Sequence, residues 1–295
     1  MRIVLTNMHG WIMRLLIFLT LIFLSNPSFG NCERAPDISR VVAAGGSLTE
    51  IIYYLEANDN LVARDLTSNY PPEARALPSI GYVRNLSAEG LLSLMPTLIL
   101  GEADAGPPNV LDQLRNIMVD FRIVPEAHNL GGIVQKIICV GKILGVDDEI
   151  LNSKLKELGA DIETLTNTTN FNKKKKKILL ILMIKGTSPI IAGSNTAGDG
   201  FIKITGNLNA VNDIKGWKPV GTENILAIDP DVIIVTKRGF SGFKNANDFL
   251  VKSGLNLTKA GKAGSLIVAD TMEMLGFGPR TPSIAAKISL QIQSQ

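Results

Sequence analysis

Tyr70 lies in the stretch Asp65-Leu-Thr-Ser-Asn-Tyr-Pro-Pro-Glu73. A proline pushes the residue before it towards extended geometry and removes a backbone donor, so Tyr70 is predicted on a loop rather than in a helix. A phenolate oxygen is a hard donor suited to ferric iron, and tyrosine is one of the side chains that hold haem iron axially. Arg84, Lys237 and Arg238 are cations that could come close to such a site in space. Residue chemistry alone favours reading Tyr70 as an ordinary half-exposed loop aromatic, because a solitary tyrosine is a weak metal signal.

Other chemistries are poorly provided for. The chain after residue 30 holds one histidine, His128, in a loop leading into a helix. A zinc or manganese site built on several histidines is excluded by that count. A serine hydrolase would have to recruit Ser47 or Ser194 with His128, and no nucleophile-elbow motif supports it. Gly45-Gly-Ser47 lacks the spacing and the lysine of a phosphate loop, so it reads as a strand-to-helix turn that could line a cleft. Binding is left as the expected activity, without catalysis.

The elements that must position these residues alternate. Val41–Ala44 reads as a buried strand, and the helix after it carries Ile51, Ile52, Leu55 and Leu61. A helix over Leu86–Leu94, a strand over Thr97–Leu100, a helix over Val110–Asn116 and a strand over Phe121–Val124 follow, an order that argues for a parallel sheet. Beyond residue 172, strands are predicted at Ile178–Met183, Asp231–Val235 and Ser265–Ala269. Lys237–Phe240 is expected as an exit loop and Ile284–Ile292 as a closing helix.

A weak repeat relates the two halves. In both, a glutamate, Glu89 or Glu223, precedes a leucine, a proline seven positions on and an apolar strand. Two similar lobes follow from this. Between them Ile150, Leu151, Leu155, Leu158, Ile162 and Leu165 recur at helical spacing after the acidic cap Asp147-Asp-Glu149. One helix of roughly twenty residues, about 30 Å long, would tie the lobes rigidly. The predicted divisions are a first lobe over 31–145, a tying helix over 146–172 and a second lobe over 173–295. The fold class is α/β: two Rossmann-like lobes with mainly parallel sheets, a single long helix between them and a ligand cleft where they meet.

Composition sets the outer limits. Apolar residues make up 45% and charged residues 19% of 295, which gives ample core and excludes a disordered chain. A net charge of +3 is too small to argue for a nucleic-acid partner, and none is expected. Lys173–Lys177 reads as a solvated lead into the strand at Ile178. Residues 1–30 read as a cleavable secretory signal: arginines at 2 and 14, an apolar run from Leu15 to Leu24, and small residues at 28 and 30 before a cut after Gly30. Of the two cysteines, Cys139 falls in the apolar helical stretch Ile133–Leu144 as a buried, inert thiol. The exported chain is expected not to rely on a disulfide to Cys32.

The stretch Val41–Val146 resembles the haemin-binding periplasmic proteins of bacterial ABC importers, and more distantly their cobalamin- and siderophore-binding relatives. Gly45-Gly-Ser-Leu-Thr-Glu50, Thr67-Ser-Asn-Tyr-Pro-Pro72, Leu77–Tyr82, Arg84–Leu94 and Gly106-Pro-Pro108 carry the resemblance. In the second half it runs through Ala192–Ala197, Gly206–Ala210 and Glu223–Val235. It implies a periplasmic carrier that takes haem as its transported ligand, with Tyr70 as the iron ligand and five-coordinate iron. Arg84, Lys237 and Arg238 would line the pocket, one of the latter two bonding the phenolate. Glu89 and Glu223 would dock the lobes onto a permease working with its ATPase, downstream of an outer-membrane haem receptor system. A ferric-siderophore or cobalamin ligand is the alternative within the same class.

Overall fold

The computed structural model describes residues 32–170, 174–185 and 188–295. The proposed leader 1–30 and Lys173 lie outside the described residues. In the first lobe β1 (Val41–Ala44) leads into α1 (Gly46–Tyr54) and β2 (Leu61–Arg64), followed by α2 (Ala88–Leu92), β3 (Leu98–Gly101), α3 (Pro108–Asn116) and β4 (Asp120–Ile123). The strands form an all-parallel sheet in the order β2-β1-β3-β4. Helix α4 (Leu130–Leu144) packs back on the sheet, and α5 (Asp148–Asn170) then leaves the lobe as the long tie.

In the second lobe β5 (Lys177–Lys185) is followed by β6 (Ser188–Ala192), α6 (Ala197–Ile204), β7 (Leu208–Asn209), β8 (Trp217–Pro219), α7 (Thr222–Ile228) and β9 (Val232–Thr236). Short helices α8 (Lys237–Phe240), α9 (Ala246–Lys252) and α10 (Lys259–Ala263) precede β10 (Leu266–Ala269), α11 (Thr271–Leu275) and α12 (Thr281–Ser294). The sheet is mixed: β10, β9 and β5 run parallel, whereas β6 and β8 add antiparallel.

The period-2 side-chain alternation of strands decides how the lobes join. Val41 and Ala43 of β1, Ile178 and Leu180 of β5, and Val232 and Ile234 of β9 all enter one apolar core. Their neighbours Val42 and Ala44, or Leu179, Ile181, Ile233 and Val235, face separate outer cores. The shared core also takes Leu151, Leu158 and Leu165 of α5 and Ala285, Ile288 and Ile292 of α12, so it runs through both lobes without a break. Of the stripe expected on α5, those three leucines, seven apart, are buried, Leu155 and Ile162 pack partly buried against the same core, and Ile150 stays exposed.

Several expectations are corrected. Leu61 opens β2 instead of sitting on the first helix. Lys237–Phe240 forms a helical turn, capped by the Thr236 hydroxyl accepting from Gly239 N at 2.9 Å, rather than an open loop. The helix expected over Leu86–Leu94 shrinks to Ala88–Leu92 because Ser87 caps it, accepting from Gly90 N. Cys139 is not a free thiol: it forms a disulfide with Cys32. That bond pins the segment before β1 onto α4, where Ala35 N also donates to Ile143 O at 2.9 Å.

Candidate functional site

The loops that meet between the lobes leave the carboxyl ends of β1, β2, β3 and β10, the edge at which parallel sheets gather ligands. At β1, Gly45 takes φ +153°, and a Cβ on Gly46 would fall 2.6 Å from Met272 Cε and 2.9 Å from Thr67 O. Only glycine lets the second lobe and the Tyr70 loop approach α1 so closely.

Asp65 builds that loop. Fully buried, its carboxylate accepts from Thr67 N at 3.0 Å, Thr67 Oγ1 at 2.8 Å and Ser68 Oγ at 2.7 Å. Ser68 in turn meets Thr49 Oγ1 on α1 at 2.7 Å. The chain therefore leaves the turn in one direction, and Pro71-Pro72 carry it into a 3-10 turn over Pro72–Ala76. Tyr70 projects from this frame 43% exposed, its hydroxyl without a hydrogen-bond partner among the described residues.

One face of the Tyr70 ring is covered. The guanidinium carbon of Arg280, from the second lobe, lies 3.6 Å from the ring centroid, a cation–π contact. Arg280 is itself forked between the lobes. Its Nη2 donates to Glu50 Oε2 at 2.6 Å across the seam, its Nη1 to Glu273 Oε1 at 2.8 Å, and its backbone N to Glu50 Oε1 at 3.2 Å. Burial works against this charge, but the hydrogen bond and attraction of Glu50, reinforced by Glu273, raise its pKa above the usual guanidinium value. The pocket beside this pair has about 530 Å³ of space, part of it open to solvent. Gly46, Glu50, Tyr70 and Arg75 line it from the first lobe, and Asp270, Met272, Glu273 and Arg280 from the second.

Beneath α1 a second polar group crosses the seam. Lys136 Nζ, wholly buried, donates to Ser47 Oγ at 3.2 Å and to Gly276 O at 3.1 Å, and pairs with Glu126. Ser47 donates to Glu102 Oε1 at 2.6 Å through its hydroxyl and at 3.1 Å through its backbone N. Burial pushes the Glu102 carboxyl up to about 7, with Lys136 and Ser47 pulling the other way.

Of the expected site residues, Tyr70 lines the pocket and Lys237 reaches its edge, 3.8 Å from Asp270. Arg84 is engaged elsewhere, with Asp104 and the Tyr82 hydroxyl, and neither it nor exposed Arg238 is in the lining. Glu89 and Glu223 are exposed first-turn residues of α2 and α7, each one helix ahead of a parallel strand. The sequence reading does not single out Glu50, Arg75, Met272, Glu273 or Arg280. The only signal was the Gly-Pro step that halts the chain before Arg280 and the closing helix.

A Ser/His arrangement does not form. Ser47 is buried and bonded to Glu102 and Lys136, Ser194 Oγ donates to Ile214 O at 3.2 Å, and His128 sits 3.8 Å from Glu126 with its ring against Phe277. Among the described residues no group of three or more His, Cys, Asp or Glu side chains could hold a metal ion.

Comparison with known proteins gives one consistent likeness. The family described as periplasmic binding protein matches residues 41–272. Among solved structures, the heme-binding protein BhuT in complex with two hemes superposes with a TM-score of 0.82 at 32% identity, over 86% of this chain and 98% of that one. The apo heme-binding protein RhuT from Roseiflexus sp. RS-1 gives 0.81 at 33% identity, over 87% and 98%. Among curated relatives, the vitamin B12-binding protein of Photorhabdus laumondii is 26% identical over 220 residues, 73% of this chain and 76% of that protein. The substrate-binding lipoprotein YvrC of Bacillus subtilis is 24% identical over 202 residues, 67% of this chain and 63% of YvrC.

Proposed function

The chain belongs to the periplasmic binding protein family, and from that premise we propose that it captures haem between its lobes and delivers it to an inner-membrane ABC permease. It would reach the periplasm through a leader over residues 1–30. The observation that carries the reading is Tyr70: an aromatic hydroxyl held at an interlobe pocket by a well-bonded loop, with no hydrogen-bond partner among the described residues. An oxygen donor left unbonded on a rigid frame is suited to an incoming ferric ion, whose charge displaces the phenolic proton on coordination. The heme-binding neighbours, at identities above 30%, support the same ligand.

Haem is cargo here, and the chain's part is to orient and to release it. Tyr70 would hold the iron from the first lobe, while the Arg280 fork and the Lys136–Gly276 bond keep the second lobe closed over the cleft. A core shared by both lobes, with a helix tie, favours small hinge motion. Release would then require the permease to part the lobes, with exposed Glu89 and Glu223 as the contacts on either side.

Titration of the mature protein with hemin tests this. A tyrosinate–ferric charge-transfer band is expected, and Tyr70→Phe should abolish it and weaken binding by about tenfold or more. Unchanged spectrum and affinity in Tyr70→Phe would sink the assignment. The B12-binding relatives favour one second reading, a corrinoid carrier. Cyanocobalamin displacing hemin at equal concentration would select it.

A further inference from the structure

The charged side chains of the pocket fall into two groups. Asp270 caps α11, accepting from Met272 N at 3.0 Å, and lies by Lys237; Glu50 and Glu273 are taken up by Arg280. Arg75 differs. It is exposed and lines the pocket, yet among the described residues no carboxylate pairs with it. Its Nε donates to Asn69 O at 3.1 Å, the carbonyl next to Tyr70, and its two Nη groups make no hydrogen bond among the described residues. The 3-10 turn over Pro72–Ala76 fixes its Cα, and Asn69 is held in turn by its own amide, which donates to Thr67 O at 3.3 Å. A guanidinium fork is thus placed beside the tyrosine with its outer edge turned to no carboxylate among the described residues.

We propose that Arg75 is the subsite for a carboxylate at the edge of the ligand whose iron meets Tyr70. The inference rests on the haem reading and deepens it. Haem carries two propionates on one edge of a flat ring, and a guanidinium matches a carboxylate with two parallel N–H···O bonds. Arg280 is unsuited to the task, because an added anion would lie against Glu50 and Glu273. Tyr70 thereby marks the metal and Arg75 the anionic edge, and the pair sets one orientation of the ring. A corrinoid, whose periphery carries uncharged amides, would gain only neutral hydrogen bonds at Arg75. The residue therefore selects for a carboxylate-bearing macrocycle.

The test crosses two ligands with the protein and its variants. Hemin and hemin dimethyl ester share metal and ring, but only hemin is anionic at the edge. Arg75→Ala should weaken hemin by about tenfold, in line with a charge-assisted hydrogen bond at a solvent-exposed position, and the ester by less than about twofold. The tyrosinate band should persist with both ligands, and Arg75→Lys should recover part of the hemin affinity because it keeps the charge without the fork. Equal losses for the two ligands, or an intact hemin affinity in Arg75→Ala, would overturn the subsite while leaving Tyr70 in place. Absence of the tyrosinate band in the unsubstituted protein would instead remove the haem reading, and the subsite with it.

Discussion

The two walls of the cleft use similar side chains to opposite ends. On the first-lobe wall Tyr70 and Arg75, five positions apart on one loop, present a hydroxyl and a guanidinium edge that no group among the described residues satisfies. On the second-lobe wall Asp270, Glu273 and Arg280 also fall close together in the chain, but each carboxylate and both Nη groups of the guanidinium are bonded within the protein, Arg280 Nε alone being buried without a partner among the described residues. Groups that receive a ligand must be unsatisfied before it arrives, whereas groups that close a cleft must be satisfied without it. On the proposed function, capture would fall to the first lobe and closure to the second.

The lobes also differ in how they are braced, and the largest expected effect lies there. Cys32–Cys139 closes a loop with a sequence separation of 107 in the first lobe, with no counterpart in the second. A loop of that length is worth roughly 4–5 kcal/mol by chain entropy, and native bridges deliver about 2–5. Reduction, or Cys32→Ser with Cys139→Ser, should lower hydrogen-exchange protection in β1–β4 by that order and spare β5 and β9. An equal fall in both sheets would mean that the shared core makes the lobes a single cooperative unit, and the contrast would fail.

The closing wall can be broken next. Glu50→Gln removes the cross-lobe half of the Arg280 fork, from a carboxylate only 6% exposed. It should cost about 2–3 kcal/mol in urea unfolding, since a half-buried guanidinium loses its better partner. Glu273→Gln, on the same wall and 26% exposed, should cost less. A reversed order would show that the contact within the second lobe, rather than the bond across the seam, holds the cleft.

A third test uses pH, where the lobes should slope in opposite directions. Glu102, on the first-lobe floor, is raised by burial from 4.5 to about 7. The folded state therefore keeps a proton that the unfolded chain gives up, so its contribution is full below about pH 4.5 and is lost as pH rises towards 7. In the second lobe burial would raise Asp199, but hydrogen bonds from Lys203 and Asn209 hold it below 3.8, so its stabilisation is lost only as pH falls further. Glu102→Gln should flatten the decline by about 1–2 kcal/mol between pH 4.5 and 7, less than the full shift because the residue keeps some solvent contact. Parallel pH profiles for the two proteins would remove Glu102 as the source.

The same contrast governs what could be read in the sequence. Tyr70 was legible because Pro71 and Pro72 dictate its backbone locally, and the α5 stripe because helical spacing is local too. Strand β2, only Leu61–Arg64, is too short to betray its period, and the antiparallel β6 has no signature separating it from a parallel strand. Glu50 and Arg280 are 230 residues apart, and Cys32 and Cys139 are 107 apart. Pairings at such distances are set by the fold alone. Arg84, Lys237 and Arg238 were expected near the pocket on charge without position: Lys237 reaches its edge, Arg84 and Arg238 lie outside its lining, and Arg75, five residues from Tyr70, was passed over. The 3-10 turn that brings it round to Asn69 O is a tertiary outcome of the Asp65 frame.

The smallest expected effect on the isolated protein is also the strictest test of the two-lobe symmetry. Glu89 and Glu223 occupy the first turns of α2 and α7, each ahead of a parallel strand, and both are exposed. A first-turn acid is worth about 0.3–1 kcal/mol through the helix dipole, so single charge reversals should barely move stability. Neither residue touches the pocket, so hemin affinity and the tyrosinate band should be unchanged. If the two are equivalent contacts for a pseudo-symmetric permease, Glu89→Lys and Glu223→Lys should each impair haem-dependent growth, and the double reversal should abolish it. Full transport in the double variant would leave both residues as helix-capping charges, and a loss confined to one lobe would break the equivalence that the repeated sequence implies.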